Sequence, residues 1–411
     1  AEAAMSGSAQ EAWVGRLEVE HDNLRAALDW SEEEAGGAEA GLRLAAALER
    51  FWWIRGHFTE GLARLESILA LPGGLEPSMV RAKACHALGM VRYRRGDQAR
   101  GDLDKARVRF EESLEIYRKL GNEPRIAEAL RDQGRVGIEL GEYASACSLL
   151  EESLKLQRRL GNKHGIALTL YGLGWLDLFR GEHAPAQRAL EGSLALLRTL
   201  GDTFSLGACL YYLGCLACER GDFIEARSRF LEIAEKTPLQ QYRWGAPFVL
   251  EGFACVAAAQ DQAARALRLA GVAAKLRQVM GARLGPGSQR YLARRLEPAR
   301  QALGEEEATA AWAEGEKMTL EQAFVYALEE EPTTSGQEAE DQPERPVGTS
   351  LSARELEVLG LVAEGLTDAQ VAQRLHLSPR TVGRHLEGVY RKLGVSSRTA
   401  AVRTAGELGL L

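Results

Sequence analysis

Large apolar residues recur at three- and four-residue intervals through most of the chain, the period of one buried face of an α-helix. Three such runs end alike: FEESLEIYRKLGN from Phe110, LEESLKLQRRLGN from Leu150 and LEGSLALLRTLGD from Leu190. Four segments fall into one register, GDLDKARVRF at Gly101, GEYASACSLL at Gly141, GEHAPAQRAL at Gly181 and GDFIEARSRF at Gly221, so glycine returns every 40 residues. Ala106, Ala146, Ala186 and Ala226 follow, and four positions on stands a large apolar residue: Phe110, Leu150, Leu190 and Phe230. Leading helices carry Gly134, Gly174 and Gly214; Leu88-Gly89 fits that slot if five residues are inserted before Gly101. An earlier unit, GHFTEGLARLESIL from Gly56, puts Gly61 in the alanine slot.

The pattern predicts pairs of amphipathic helices. Neither helix can bury its stripe alone, so the pairs must stack, and stacking gives a curved solenoid with a concave face. The recurring glycine permits the turn between the helices of a pair, and the small residue at the alanine slot lets those helices approach. Six pairs fit between about Glu39 and Gly281, after a helical lead-in over 1–38. Residues 282–328 read as two or three helices closing the open end of the solenoid. The stretch 329–350 holds seven acidic residues, three prolines and one arginine, the composition of an extended, disordered linker.

The L-G, then A-x3-F/L pattern resembles the tetratricopeptide repeat, at 40 residues rather than the usual 34 and with most of the signature aromatics of its first helix absent; HEAT-like helix pairs are the alternative. The expected fold class is therefore all-α, a solenoid followed by a small four-helix unit at 351–411.

That last unit has its own signals. Ser352 with Glu355, and Thr367 with Gln370, stand at capping-box spacing; Ser378 caps a third helix with Pro379 at its first position, and Gly394 stops it. Two helices joined only by His376-Leu377-Ser378 form a helix-turn-helix. In the third helix Val382, Leu386, Val389 and Leu393 fall on one stripe. The opposite face carries Arg380, Arg384, Glu387, Gly388 and Arg391, a surface suited to the major groove. Residues 351–411 hold eight lysines and arginines against six acids, +2, in a chain of net charge −7, so the remainder carries −9.

The run LSARELEVLGLVAEGLTDAQVAQRLHLSPRTVGRHLEGVYRKLGVSSRTAA resembles the DNA-binding domain of LuxR-type transcriptional regulators. The resemblance implies that the third helix enters the major groove of double-stranded DNA and that the fourth pairs two copies into a homodimer on DNA. It places base reading on Gly383, Arg384 and Glu387, and phosphate contacts on Arg380, Thr381, Arg391, Lys392 and Arg398. Family members often have lysine where Gly383 stands and a basic residue where Glu387 stands, so the operator does not carry over. AWVGRLEVEHDNLRAALDW and the segment after it resemble large bacterial regulators of the MalT-like or LAL type, in which an ATPase precedes the repeats. No G-x4-G-K-[ST] loop occurs in this sequence, and the start at Ala1 reads as the cut end of something longer.

Other chemistry is sparse. Six cysteines form no disulfide framework, and Cys215 and Cys218, spaced as CxxC, fall on repeat positions that elsewhere hold Trp175 and Leu178, so both are expected in the core. His86 and His183 are isolated. No nucleophile motif, metal cluster or carboxylate pair stands out, so the expected protein binds rather than catalyses, with no cofactor and no metal. Tyr171, Trp175 and Tyr211 are the candidates for lining the concave face. No apolar run approaches the ~18–20 residues of a membrane span and no signal peptide opens the chain, which places it in the bacterial cytoplasm. The expectation is a transcriptional regulator whose solenoid takes a small-molecule, peptide or protein effector; the competing reading is an interaction scaffold whose last unit serves dimerisation.

Overall fold

The computed structural model describes residues 10–34, 36–72, 75–95, 99–236, 245–281, 284–329, 353–363 and 365–375. Beyond these it describes Val382, Leu386, Val389, Tyr390, Leu393, Val395, residues 398–407 and Leu410. The acidic stretch 330–350 lies outside them. The described residues form α-helices and no strand, and the chain divides into two compact units, Ala1–Thr333 and Thr334–Leu411.

In the first unit, α1 (Gln10–Val19) and α2 (His21–Glu33) lead into six helix pairs. These are α3 (Ala38–Arg55) with α4 (Phe58–Ala70), α5 (Met79–Arg95) with α6 (Ala99–Lys119), and α7 (Glu123–Leu140) with α8 (Tyr143–Arg159). After them come α9 (Lys163–Arg180) with α10 (His183–Leu200), α11 (Thr203–Glu219) with α12 (Phe223–Lys236), and α13 (Gly245–Ala259) with α14 (Ala263–Met280).

The 40-residue register is visible in the caps. Asn122, Asn162 and Asp202 each accept a hydrogen bond from the backbone N–H three residues on, at 3.2, 3.0 and 3.0 Å, and so start α7, α9 and α11. Gly141 and Gly181 end α7 and α9 in the left-handed region, φ +82° and +79°, where a Cβ would be strained. Gly101 departs from this register. It lies within the first turn of the longer helix α6, so it does not separate the helices of that pair.

The side-chain slots follow the same period. Ala106, Ala146, Ala186 and Ala226 are fully buried, as are Phe110, Leu150, Leu190 and Phe230. Each large residue packs on a glycine of the helix before it: a Cβ at Gly89 or Gly134 would lie 2.7 Å from Phe110 or Leu150. Leu150 also meets Gly172 of the next pair, so one side chain couples two repeats. Burial of each such side chain is worth roughly 1.5–3 kcal/mol, and most of it exists only in the stacked array.

The array bends back on itself. Trp53 of α3 sits 5.0 Å, ring to ring, from Phe204 at the start of α11, and Met280 at the end of α14 packs against the same cluster. The last helices do more than close an open end. α15 (Pro286–Leu303) enters the concave face, where Ser288 donates from its N and Oγ to Glu139 of α7, at 2.9 and 2.6 Å, and Tyr291 stacks on Phe179 at 5.1 Å. α16 (Glu305–Lys317) lies on α14, and α17 (Leu320–Leu328) ends where Arg227 donates to the Leu328 carbonyl at 2.8 Å.

The second unit contains α18 (Ala353–Ala363), α19 (Asp368–Leu375) and α20 (Arg398–Glu407). Thr367 and Gln370 form the expected reciprocal cap, Thr367 N donating to Gln370 Oε1 at 2.8 Å and Gln370 N to Thr367 Oγ1 at 3.4 Å. Val382, Leu386, Val389 and Leu393 are all helical and buried, so the predicted stripe is the inward one. They pack with Val358, Val362, Val371 and Ala401.

Candidate functional site

The first helices of successive pairs line the inside of the curved array. Two adjoining cavities of about 960 and 260 Å³ open there, sharing Glu49, Arg50, His86, Arg131, His164 and Leu168. Their size and mixture of aromatic and charged walls are those of a small-molecule site. Tyr171 and Trp175 line the smaller one, together with Tyr212. Trp175 and Tyr212 stack at 5.7 Å, and Tyr171 lies 5.8 Å from Tyr212. Tyr211 does not join them. It is buried against Phe248 and Phe230, because α12 and α13 cover its side of α11, so its neighbour takes the inner position.

The charged groups of the cavity were hidden among ordinary helix charges. Arg94 lays its guanidinium over the Trp53 ring at 4.2 Å and 5.5 Å from Phe204. Its Nε is buried without an acceptor, and burial together with the nearby Arg135 charge pulls its pKa down to about 10. Arg135 lies over Tyr93 at 5.0 Å and 3.6 Å from Asp132. Asp132 is also held by Arg131 at 2.9 Å and His86 at 3.1 Å. Burial alone would raise the Asp132 carboxyl; Arg131 and His86 outweigh it and hold the group far below the usual carboxylate range. Glu49 shows the opposite balance. Burial raises its carboxyl against the pull of Arg94, and its Oε1 meets no donor. One signal was present: Arg135 occupies the repeat slot that holds Trp175 and Cys215 in the next two pairs, a charge where the register supplies apolar residues.

Cys215 and Cys218 are both buried, burial pushing the Cys218 thiol up to about 12, and Tyr291 of α15 covers Cys215. His183 bonds Glu219 at 2.7 Å. Glu18, His21 and His57 bring potential metal-ligating atoms within 4.8 Å of one another, a grouping the sequence spacing did not reveal. His21 is committed to Glu60 at 2.9 Å, and Glu18 to Arg55 at 2.9 Å.

In the second unit Arg398 reaches across to α19, donating to the Asp368 carboxylate and to the Leu366 carbonyl. Its guanidinium ties the start of α20 to the helix-turn-helix. Arg380, Thr381, Gly383, Arg384, Glu387, Arg391 and Lys392 lie outside the described residues.

Residues 349–405 match the bacterial regulatory proteins of the luxR family, and residues 138–199 match the tetratricopeptide repeat. The C-terminal unit is a LuxR-family regulatory domain. An HTH-type transcriptional regulator of Mycobacterium tuberculosis strain H37Rv is 37% identical over 166 residues, 40% of this chain and 18% of that protein. The chain thus covers less than a fifth of this relative's length. The HTH-type transcriptional activator RamA of Corynebacterium glutamicum is 44% identical over 63 residues, 15% of this chain and 22% of that protein. Among solved structures, a Rap protein complexed with competence and sporulation factor aligns at 14% identity with a TM-score of 0.43, over 64% of this chain and 77% of that one. The two family matches show that the chain joins a LuxR-type helix-turn-helix domain to tetratricopeptide-type repeats. Among its described residues no helix is long and apolar enough to cross a membrane.

Proposed function

We propose that this chain is a bacterial transcriptional regulator acting in the cytoplasm. Its LuxR-type domain binds double-stranded DNA as a two-fold pair, and an effector entering the inner cavity of the repeats controls that binding. The family match over residues 349–405 carries the reading, with the inward stripe Val382, Leu386, Val389 and Leu393 in support. By sequence spacing, the 3.6-residue period assigns Arg384 and Glu387 to the face opposite that stripe, and in this reading Arg384 meets guanine with both fork nitrogens and Glu387 accepts from cytosine N4. Gly383 offers no side chain to a base, which leaves Arg384 as the principal reader. Arg380, Thr381, Arg391 and Lys392 flank it as phosphate contacts. The chain uses no cofactor and catalyses nothing in this role.

Selection of random-site duplex DNA by the whole chain at several salt concentrations tests the reading. A two-fold symmetric site should emerge, with affinity falling steeply as salt rises, and Arg384→Ala should cost about 1–3 kcal/mol and relax one position of the site. If no site is selected and Arg384→Ala behaves as the parent, the chain is an interaction scaffold and its last unit a dimerisation module.

A further inference from the structure

We infer that the inner cavity binds a small anionic molecule with a flat apolar body, its carboxylate or phosphate seated at Arg94 and Arg135. This rests on the effector reading above and names the chemistry of that site.

The charge balance inside the cavity opposes that of the chain. Setting aside Arg277, which is paired with the buried Glu251, the two cavities are lined by Arg43, Arg50, Lys83, Arg94, Arg125, Arg131 and Arg135, seven cations, against Glu49, Glu128, Asp132, Glu139 and Asp202, five acids, an excess of two positive charges. The whole chain is at −7. Most of the acids are engaged. Asp132 serves Arg131, Arg135 and His86, Glu128 holds Arg125 at 2.8 Å, Asp202 holds His164 at 2.9 Å, and Glu139 takes both Ser288 donors. Arg43, Lys83 and Arg94 make no ion pair with a carboxylate within 4.0 Å among the described residues, although Glu49 is near enough to act on Arg94.

Arg94 is the focus. Two aromatic rings fix its plane, and the Nε atoms of Arg94 and Arg135 are both buried with no acceptor. A buried guanidinium N–H left without an acceptor is costly, and an anion that presents two oxygens, carboxylate or phosphate, matches the fork. Two arginines close enough to depress one of them are relieved by an anion between them. Glu49, its Oε1 buried without a donor, lies in the wall shared by the two cavities. The Tyr171, Trp175 and Tyr212 rings form the apolar wall for the rest of the molecule, and the volumes fit a ligand of small-molecule size rather than a folded partner.

The test uses the full chain titrated with phenyl phosphate, benzoate and neutral benzyl alcohol at constant ionic strength, read by tryptophan fluorescence and by melting temperature. At least one anion should bind at least tenfold more tightly than benzyl alcohol; which of the two binds separates phosphate from carboxylate ligands. Arg94→Gln should weaken that binding tenfold or more, Arg94→Lys should restore part of it, and the surface variant Arg159→Gln should change nothing. If Arg94→Gln does not fold, Arg135→Gln and Arg94→Lys carry the comparison. Equal binding of the alcohol, absence of binding by both anions, or an Arg94→Gln or Arg135→Gln variant that binds as the parent overturns the inference. DNA affinity measured in the same titration separates the two readings. An anion that fills the cavity and leaves DNA affinity unchanged overturns effector control alone. A neutral ligand that changes DNA affinity overturns the anion site alone.

Discussion

Phe230 of α12 lies against the backbone of Gly252 on α13, so close that a β-carbon there would come within 2.5 Å of ring Cε1. The other side of the ring meets Gly214 of α11 in the same way, and the ring joins two successive pairs. Gly252→Ala should therefore destabilise the repeat unit by about 1–3 kcal/mol in urea unfolding, since neither helix can move without its neighbours. Gly207→Ala, on the same α11 but with its nearest neighbour at 3.6 Å, should stabilise by roughly 0.5–1 kcal/mol through helix propensity alone. Equal effects at the two positions would refute this account of the packing.

Arg277 of α14 donates twice to Glu251 of α13, at 2.6 and 2.8 Å, with both side chains buried. Removing one partner strands a charge, so Glu251→Ala should cost about 3–5 kcal/mol, while Glu251→Leu combined with Arg277→Met should recover most of that loss. A double-mutant cycle on the melting temperature measures both.

The depressed Asp132 carboxyl makes the repeat unit sensitive to acid. Because the folded group titrates below its unfolded value of about 3.9, its contribution is full above that pH and drains away as pH falls through the folded value. The melting temperature should begin to drop below about pH 4 and go on falling as the pH is lowered further. Asp132→Asn should lower stability at pH 7 and flatten that acid limb; an unchanged limb would mean that other carboxylates govern it.

Arg398 offers a contrast within the LuxR-type domain. The family resemblance gives it a phosphate, whereas its guanidinium is engaged by Asp368 and the Leu366 carbonyl. Arg398→Ala should lower the melting temperature of that unit, by about 1 kcal/mol for a half-exposed pair. It should leave the salt slope of DNA binding nearly intact, while Lys392→Ala reduces that slope by about 1. A full unit lost from the slope with Arg398→Ala would return that residue to the phosphates.

The features legible in the sequence are those that local chemistry repeats. Asn122, Asn162 and Asp202 cap helices wherever they recur, and the apolar stripe of the third C-terminal helix needs only its 3.6-residue period. Gly101 misled because the longer helix α6 begins before it and takes it into its first turn. Tyr211 and Tyr212 are adjacent, and only the covering helices decide which faces inward. Of the cavity cations, Arg135 showed only as a charge in an apolar repeat slot, while Arg94 stands in RYRR and reads like a solvated arginine until distant Trp53 and Phe204 are brought to it. The course of α15 had no local signal, since nothing in LGPGSQRYLARRL specifies which surface accepts it.

The bond from Ser288 to Glu139 joins positions 149 residues apart in sequence. A linear stack of repeats has two ends from which it can fray, each unit leaning only on its neighbours. Here the helix after the sixth pair returns to the third, while the sixth reaches the first through Met280 and the fifth through Phe204 and Trp53. The middle of the array is thereby anchored by its termini, and loss of α15 should turn a single sharp unfolding transition into a broad, stepwise one.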